Sequence, residues 1–181
     1  MSDPTPISAT VQMNASPEEV WKVVSDLARM PEFSPELRKA FVLGRPGVGA
    51  NIIGINRRKA VVWPTTSKVV RWEPAKAVAW KVRESGATWV YELEPTEDGT
   101  EVAGRRVLPK FTFGTSFLAP IIGGSEGHDA ELAEGIQTTL QRIRTVVENV
   151  PAGWFARRVC CGRTWRGRPW KCRWRRLGSD P

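Results

Sequence analysis

The single histidine and the single tyrosine are the side chains of this sequence best suited to transfer a proton. His128 has an ordinary pKa near neutrality, so it could donate a hydrogen bond or a proton to a bound carbonyl group. Tyr91 would then act as a second donor or orient the substrate. Alternatively, His128 caps the helix that follows it. Because only Asp129 stands beside it and no paired nucleophile is recognisable, capping is the favoured interpretation.

Three consecutive polar residues, Asn56, Arg57 and Arg58, lie in a predicted strand. Alternation places Asn56 and Arg58 on one face and Arg57 on the other, so one arginine faces inward. A buried guanidinium is costly unless it is paired. It would therefore bind either the anionic headgroup of a ligand or a structural partner such as Glu36, and the structural pair is favoured.

Aromatic side chains are frequent in the predicted strands. Trp89 and Tyr91 share one strand face, and Trp80 shares another with Val78 and Val82. Most such residues pack in a core, but in a fold with an internal cavity some would line it, and Tyr91 would add a polar group. Trp89 and Tyr91 are therefore candidates for ligand contact.

Several kinds of catalytic site have no counterpart in the sequence. Residues 1–150 contain one histidine and no cysteine, so only carboxylates remain as metal ligands. A glycine-rich phosphate loop and a Ser-His-Asp constellation are also missing. We expect neither a metal nor a cofactor, and an enzyme of this sequence would act through cavity shape and a few hydrogen bonds.

The elements that position these residues follow from hydrophobic periodicity. Apolar and polar residues alternate over 7–13, which predicts a half-buried strand. Ser16 as N-cap, Pro17 and Glu19 then predict the start of a helix with a capping box. Two further prolines allow only a turn or one short helix beginning at Pro35.

Six β-rich runs follow without intervening helices, which predicts an antiparallel sheet. A strong hairpin signal, Asp98-Gly99, separates the last two runs. The runs cover about 39–43, 51–59, 61–72, 77–83, 88–94 and 101–108.

A long amphipathic helix is predicted from about Glu126 to Asn149, because apolar residues recur there at helical spacing. The predicted fold class is therefore α+β, with a curved seven-stranded antiparallel sheet wrapped around this helix and two short helices after strand 1. A curved sheet cannot close tightly along one straight helix, so we expect an interior cavity. The apolar segment 111–124, which contains glycines, would form a lid over its mouth or a loop packed on the helix.

The end of the chain differs from the rest in composition. Residues 151–181 contain nine of the 27 Lys and Arg residues but one of the 19 acidic residues, so the formal net charge of +8 belongs there. The three cysteines Cys160, Cys161 and Cys172 also lie there, at a spacing that matches no standard zinc motif. We expect a ligand-binding domain at 7–149 and a disordered tail at 150–181.

Two interpretations of this tail compete with metal binding. Arginines interleaved with tryptophans could bind nucleic acid or an anionic membrane. The same Trp/Arg/Cys-rich composition also arises when a GC-rich gene is translated in a shifted frame, and this is the favoured explanation. The N-terminus resembles no secretory signal, and no apolar run reaches the roughly 18 residues of a membrane span, so we expect a cytoplasmic protein.

The chain resembles the helix-grip (SRPBCC) superfamily, which includes birch-pollen-allergen-like and START lipid-transfer domains. More narrowly, it is similar to actinobacterial polyketide cyclase/dehydrase-like proteins. The motifs that carry this resemblance are 15–21 (Ala-Ser-Pro-Glu-Glu-Val-Trp), 33–36 (Phe-Ser-Pro-Glu), 54–58 (Gly-Ile-Asn-Arg-Arg), 89–95 (Trp-Val-Tyr-Glu-Leu-Glu-Pro), 98–100 (Asp-Gly-Thr), His128 and 135–143 (Gly-Ile-Gln-Thr-Thr-Leu-Gln-Arg-Ile).

The resemblance implies a pocket for a hydrophobic small molecule such as a lipid, polyketide or isoprenoid, but it implies no particular reaction. The main hypothesis is therefore a carrier or sensor. The alternatives are a polyketide cyclase/dehydratase that uses His128 and Tyr91, and a regulatory or toxin-like protein that interacts through its tail. The expected ligand-binding residues are Trp21, Phe33, Asn56, Arg58, Trp80, Trp89, Tyr91, Phe117, His128, Leu132, Ile136 and Leu140.

Overall fold

The computed structural model describes residues 7–108 and 126–149, with side chains for 7–108 and 132–149. The predicted first strand forms as β1 (Ile7–Met13), and α1 (Pro17–Val24) follows it. At the start of α1 the Ser16 hydroxyl accepts a hydrogen bond from the Glu19 N–H, and the Glu19 carboxylate accepts one from the Ser16 N–H. The predicted capping box is therefore confirmed.

The short helix predicted to begin at Pro35 lies earlier in the chain. A 3₁₀ turn (Leu27–Arg29) leads into α2 (Met30–Phe33), and Ser34 then turns extended with ψ 134°. Proline is tolerated in the first turn of a helix, but it disfavours helical backbone at the residue before it. Pro35 therefore ends this helical segment rather than starting it.

Seven strands form one antiparallel sheet in the order β1-β7-β6-β5-β4-β3-β2. The β6–β7 hairpin turns where predicted, with Thr96 paired to Gly99 and Gly99 at φ +136°, a conformation that favours glycine. Irregular register between Leu37 and Lys39 and between Val69 and Arg71 is typical of bulges, which bend a sheet. The remaining strands are β2 (Leu37–Leu43), β3 (Asn51–Arg58), β4 (Val61–Glu73), β5 (Ala77–Val82), β6 (Thr88–Thr96) and β7 (Gly99–Val107).

The long helix α3 (Glu126–Asn149) has the predicted bounds and packs on β1, β7, α1 and α2. Its predicted apolar stripe is buried, as shown by Leu132, Ile136, Leu140, Ile143 and Val147. The predicted α+β helix-grip architecture is therefore confirmed. Among the helices within 7–108 and 126–149, none has the length and apolar character needed to cross a bilayer.

Helix α3 approaches the sheet closely at Gly104 of β7. A Cβ atom at this position would lie 2.9 Å from Ile136 Cγ2 and 3.5 Å from Leu140 Cδ1, so only glycine allows this approach without a shift. The C-terminal half of α3 packs in the hydrophobic core through Ile143 and Val147.

Candidate ligand-binding site

A cavity of about 620 Å³ lies between the inner face of the sheet and the N-terminal half of α3. Strands β3 to β7 form one wall, the chain from α2 into β2 forms a second, and Leu132, Ile136 and Thr139 of α3 form a third. The expected interior volume is therefore present within the part of the chain that the structure describes.

Tryptophans make up much of the sheet wall. Trp63, Trp80 and Trp89 line the cavity and are half-buried, although Trp80 and Trp89 lie in the middle strands of the sheet. Trp80 and Trp89 are cross-strand partners, so their side chains lie on the same face. This wall presents flat aromatic surface to whatever occupies the cavity.

Tyr91 is the most deeply buried aromatic residue of this wall. Its ring is stacked on the Trp80 ring, and its side chain is 4% exposed. Burial raises the pKa of the Tyr91 phenol well above its ordinary value, so the hydroxyl keeps its proton at neutral pH. No hydrogen bond joins this hydroxyl to another described residue. It is therefore a buried donor that a ligand could satisfy.

Arg106 places a cation inside the same cavity. Its side chain lies on the inner face of β7, is 9% exposed, and has its guanidinium carbon 5.9 Å from the centre of the Trp89 ring. The neighbouring Arg105 points to the outer face and forms an ion pair with Glu92 at 3.1 Å. The sequence prediction did not include Arg106, although the buried alternation of Thr100, Val102 and Gly104 would have placed it inside.

The polar residues of β3 follow the predicted alternation. Asn56 and Arg58 both line the cavity, whereas Arg57 is exposed and donates from Nε to the Lys59 carbonyl at 3.1 Å. The Asn56 amide donates to Thr65 Oγ1 at 3.0 Å. Glu36 also lines the cavity. The structural pairing of Arg58 with Glu36 stays a prediction.

Three of the expected ligand-binding residues lie away from the cavity lining. Trp21 packs edge-on against Trp72, which lines a separate cavity of about 400 Å³. Phe33 is 1% exposed within the core, and its carbonyl accepts a hydrogen bond from Arg142. Leu140 lies one helical turn beyond Ile136, is fully buried and packs near Gly104 of β7.

The structure brings together Asn56, Arg58, Trp80, Trp89, Tyr91, Leu132 and Ile136 around one cavity. The backbone of α3 includes position 128, but the His128 side chain lies outside the described residues, as do Phe117, the predicted lid at 111–124 and the tail at 150–181.

Sequence reasoning missed several smaller polar residues of the wall. Thr65 and Ser67 of β4 line the cavity, and Ser67 is buried. Thr139 of α3 also lines it and donates to the Gly135 carbonyl at 2.7 Å. Short hydroxyl side chains on an inner face are a usable signal, because a plain core would place apolar residues at these positions.

The charged groups of the lining differ in depth. Arg106 is buried, Arg58 and Glu36 are half-buried, and Glu84 and Glu134 are exposed. Glu84 accepts hydrogen bonds from the backbone N–H and the hydroxyl of Thr66. Within 7–108 and 132–149, no group of three or more His, Cys, Asp or Glu side chains could hold a metal ion. The arrangement can bind an amphipathic molecule, polarise a carbonyl group and stabilise an oxyanion.

Comparison with known proteins gives one family. The sequence matches the family model described as polyketide cyclase / dehydrase and lipid transport over residues 5–148. Among curated proteins, none matches the sequence.

Solved structures share the fold at low sequence identity. The di-domain ARO/CYC protein StfQ of the steffimycin biosynthetic pathway is 15% identical over 79% of this chain and has a TM-score of 0.61; the match spans 50% of that protein's length. A polyketide-cyclase-like protein of Corynebacterium glutamicum is 24% identical over 82% of this chain and 92% of its own, with a TM-score of 0.53. The AHSA1-like protein of Aeromonas hydrophila is 18% identical over 80% and 92%, with a TM-score of 0.55.

Proposed function

Because this chain belongs to the polyketide cyclase / dehydrase and lipid transport family, we propose that it binds a hydrophobic small molecule in its internal cavity, as a carrier or sensor. One observation carries the proposal. The cavity of about 620 Å³ combines a tryptophan wall with the Tyr91 hydroxyl, which is buried and has no hydrogen-bond partner among the described residues.

The volume and the lining both fit a small-molecule site. Such sites measure about 300–1,000 Å³ and are mostly apolar, with a few polar groups that fix orientation. A buried hydroxyl without a partner costs about 1–3 kcal/mol. A ligand that carries a carbonyl or hydroxyl group would remove this cost by accepting from Tyr91. Lipids, polyketides and isoprenoids all include molecules of this kind.

A passive role is favoured over catalysis by the chemistry of the described lining. Tyr91 holds its proton too firmly to act as a base at neutral pH, and Arg106 is a permanent cation. These groups can orient and polarise a bound carbonyl. Within the described part of the wall, no neutral histidine or cysteine accompanies them to remove a proton.

A second candidate function is that of a polyketide cyclase or dehydratase. The family description and the ARO/CYC relative favour it, and a donor that stays protonated on the same cavity wall as a guanidinium is suited to stabilise an enolate. In this mechanism Tyr91 donates a hydrogen bond to the substrate carbonyl, and His128 donates a proton to the substrate.

The binding proposal is tested with the neutral fluorescent probe N-phenyl-1-naphthylamine. We expect saturable binding at one probe per chain. Thr138→Trp adds a large side chain at a position that lines the cavity and should weaken binding by about 10-fold or more. Gln137→Trp, at the exposed neighbouring position, is the matched control and should bind like the native protein. Unsaturable binding, or equal affinity in Thr138→Trp, would overturn the proposal.

The cyclase candidate needs its own measurement. Turnover of a linear polyketide thioester should be lost in both Tyr91→Phe and His128→Ala, while both variants keep binding N-phenyl-1-naphthylamine. Unchanged turnover in His128→Ala removes that residue from the mechanism. Native mass spectrometry of protein purified from its own host would identify the bound molecule directly.

Other parts of the sequence prediction stay predictions. They are the cytoplasmic location, the assignment of 150–181 as a separate tail, and the alternative in which that tail binds nucleic acid or an anionic membrane.

A further inference from the structure

Among the described residues that line the cavity, the most deeply buried charged group is a cation. Arg106 is 9% exposed, whereas the lining carboxylates Glu84 and Glu134 are exposed and Glu36 is half-buried. An exposed carboxylate is screened by water and salt, but a buried guanidinium acts through a lower dielectric and attracts an anion more strongly. The interior of the cavity therefore favours a negatively charged group on a ligand, whereas the exposed margin with its carboxylates does not.

The position of Arg106 follows from strand register. Arg106 is the cross-strand partner of Trp89, and Trp89 is the partner of Trp80. These three residues form one row across three neighbouring strands, on the face that lines the cavity. Because strands lie about 4.8 Å apart, the row runs for roughly 10 Å from the cation to the far tryptophan.

The contact between Arg106 and Trp89 leaves the guanidinium able to bind an anion. Its carbon lies 5.9 Å from the centre of the Trp89 ring. A guanidinium has five N–H donors in a planar fork that matches carboxylate and phosphate oxygens. Because the fork has five donors, a ligand oxyanion can bind Arg106 alongside the contacts that the protein already makes.

We propose that the ligand of this cavity is an amphipathic acid whose oxyanion, a carboxylate or a phosphate, binds the Arg106 guanidinium. Its apolar part lies along Trp89 and Trp80, with the chain directed away from β7. This inference rests on the proposed function and specifies its ligand class.

The neighbouring arginine provides a matched control. Arg105 belongs to the same strand and carries the same charge, but it points to the outer face and pairs with Glu92. Arg105→Gln and Arg106→Gln therefore change the net charge of the protein equally. Only Arg106→Gln changes the charge inside the cavity.

The experiment is competition against N-phenyl-1-naphthylamine by three compounds of equal chain length: dodecanoic acid, dodecyl phosphate and dodecan-1-ol, each below its micelle concentration. We expect the native protein to bind the acid, the phosphate or both about 10-fold or more tightly than the alcohol. Whichever anion competes better identifies the headgroup. Arg106→Gln should lose this preference and keep its affinity for the alcohol, and Arg105→Gln should keep both.

Each outcome separates the two proposals. If the alcohol competes as well as both anions in the native protein, the ligand is not an acid, although the cavity still binds apolar molecules. If N-phenyl-1-naphthylamine itself does not bind, the proposed function as a binding protein is contradicted. Should Arg106→Gln lose its fold by circular dichroism, Arg106→Lys keeps the charge without the planar fork and should retain part of the preference. A preference that survives unchanged in folded Arg106→Gln overturns the assignment.

Discussion

The Tyr91 ring lies against the Trp80 ring with 5.6 Å between centroids and 18° between planes. This stacking, rather than a hydrogen bond to another described residue, holds the phenol in the cavity wall. The strand register that pairs Tyr91 with Val78 places it one step from Trp80 on the same face. The ring is thus fixed by packing, while its hydroxyl has no hydrogen-bond partner among the described residues.

Removal of this hydroxyl should separate stability from binding. Tyr91→Phe keeps the stacked ring and deletes a buried polar group, so we expect the free energy of unfolding to stay equal or rise by up to about 1 kcal/mol. The affinity for the ketone probe prodan should fall about 2- to 10-fold, because the probe loses one hydrogen bond. Denaturant unfolding and fluorescence titration measure the two effects. A clear loss of stability would mean that the hydroxyl has a partner in the protein.

The ionisation of Tyr91 should be coupled to unfolding at alkaline pH. Its folded pKa is raised by burial, so the folded state keeps the proton in a range where an unfolded tyrosine, with a pKa of about 10, loses it. This contribution to stability is full below about pH 10 and declines as the pH rises further. Because the sequence has one tyrosine, tyrosinate absorbance reports this group alone.

We therefore expect tyrosinate to form only as the circular dichroism signal of the fold is lost. Tyr91→Phe should show a shallower decline of stability above about pH 10. Reversible ionisation near the ordinary pKa, with the fold intact, would contradict the burial of this residue.

Two glycines on facing elements should respond to alanine with opposite signs. Gly104→Ala would place its Cβ 2.9 Å from Ile136 Cγ2 and 3.3 Å from the Tyr91 ring, and the resulting shift should cost about 1–3 kcal/mol. Gly135→Ala on α3 meets only Pro35 Cγ at 3.6 Å, an ordinary contact, and should gain about 0.5–1 kcal/mol from helix propensity. Thermal unfolding of both variants tests the difference, and equal effects would contradict the close approach of α3 to β7.

A chain that ends after Asn149 should fold and bind like the full chain. The described residues that line the cavity all lie between Met30 and Thr139. We expect the same melting temperature and the same affinity for N-phenyl-1-naphthylamine. A shortened chain that fails to fold would refute the predicted domain boundary. Sequencing the gene across codons 145–155 would test the shifted-frame explanation of the tail.

Periodicity predicted most of the fold because it reports which face of an element is buried. It located β1 and α3. Local signals located the β6–β7 turn at Asp98-Gly99 and the start of α1 at Ser16 and Glu19. Pro35 was predicted to lie in a turn or to begin one short helix, but it follows the helical segment Leu27–Phe33, because proline is compatible with both the start and the end of a helix. The apolar residues Leu27, Met30 and Phe33 of that segment are buried.

The site was harder to predict because periodicity does not report depth. Ile136 and Leu140 occupy the same face of α3 and both pack near Gly104, yet only Ile136 also lines the cavity. That distinction depends on where the helix leaves the sheet, which is a property of the assembled fold. Arg106 was missed because two adjacent arginines resemble a surface pair, and only the pleat of β7 separates them.

The strand order has a consequence for how the domain assembles. β1 is an edge strand whose one partner is β7, and this pairing joins Ile7 to Arg106 across nearly the whole sheet-forming sequence. Pairings of such high contact order form slowly, in roughly milliseconds to seconds for sheet-rich domains. During synthesis, β1 can pair only after β7 has left the ribosome. The cavity wall that contains Arg106 is therefore completed late.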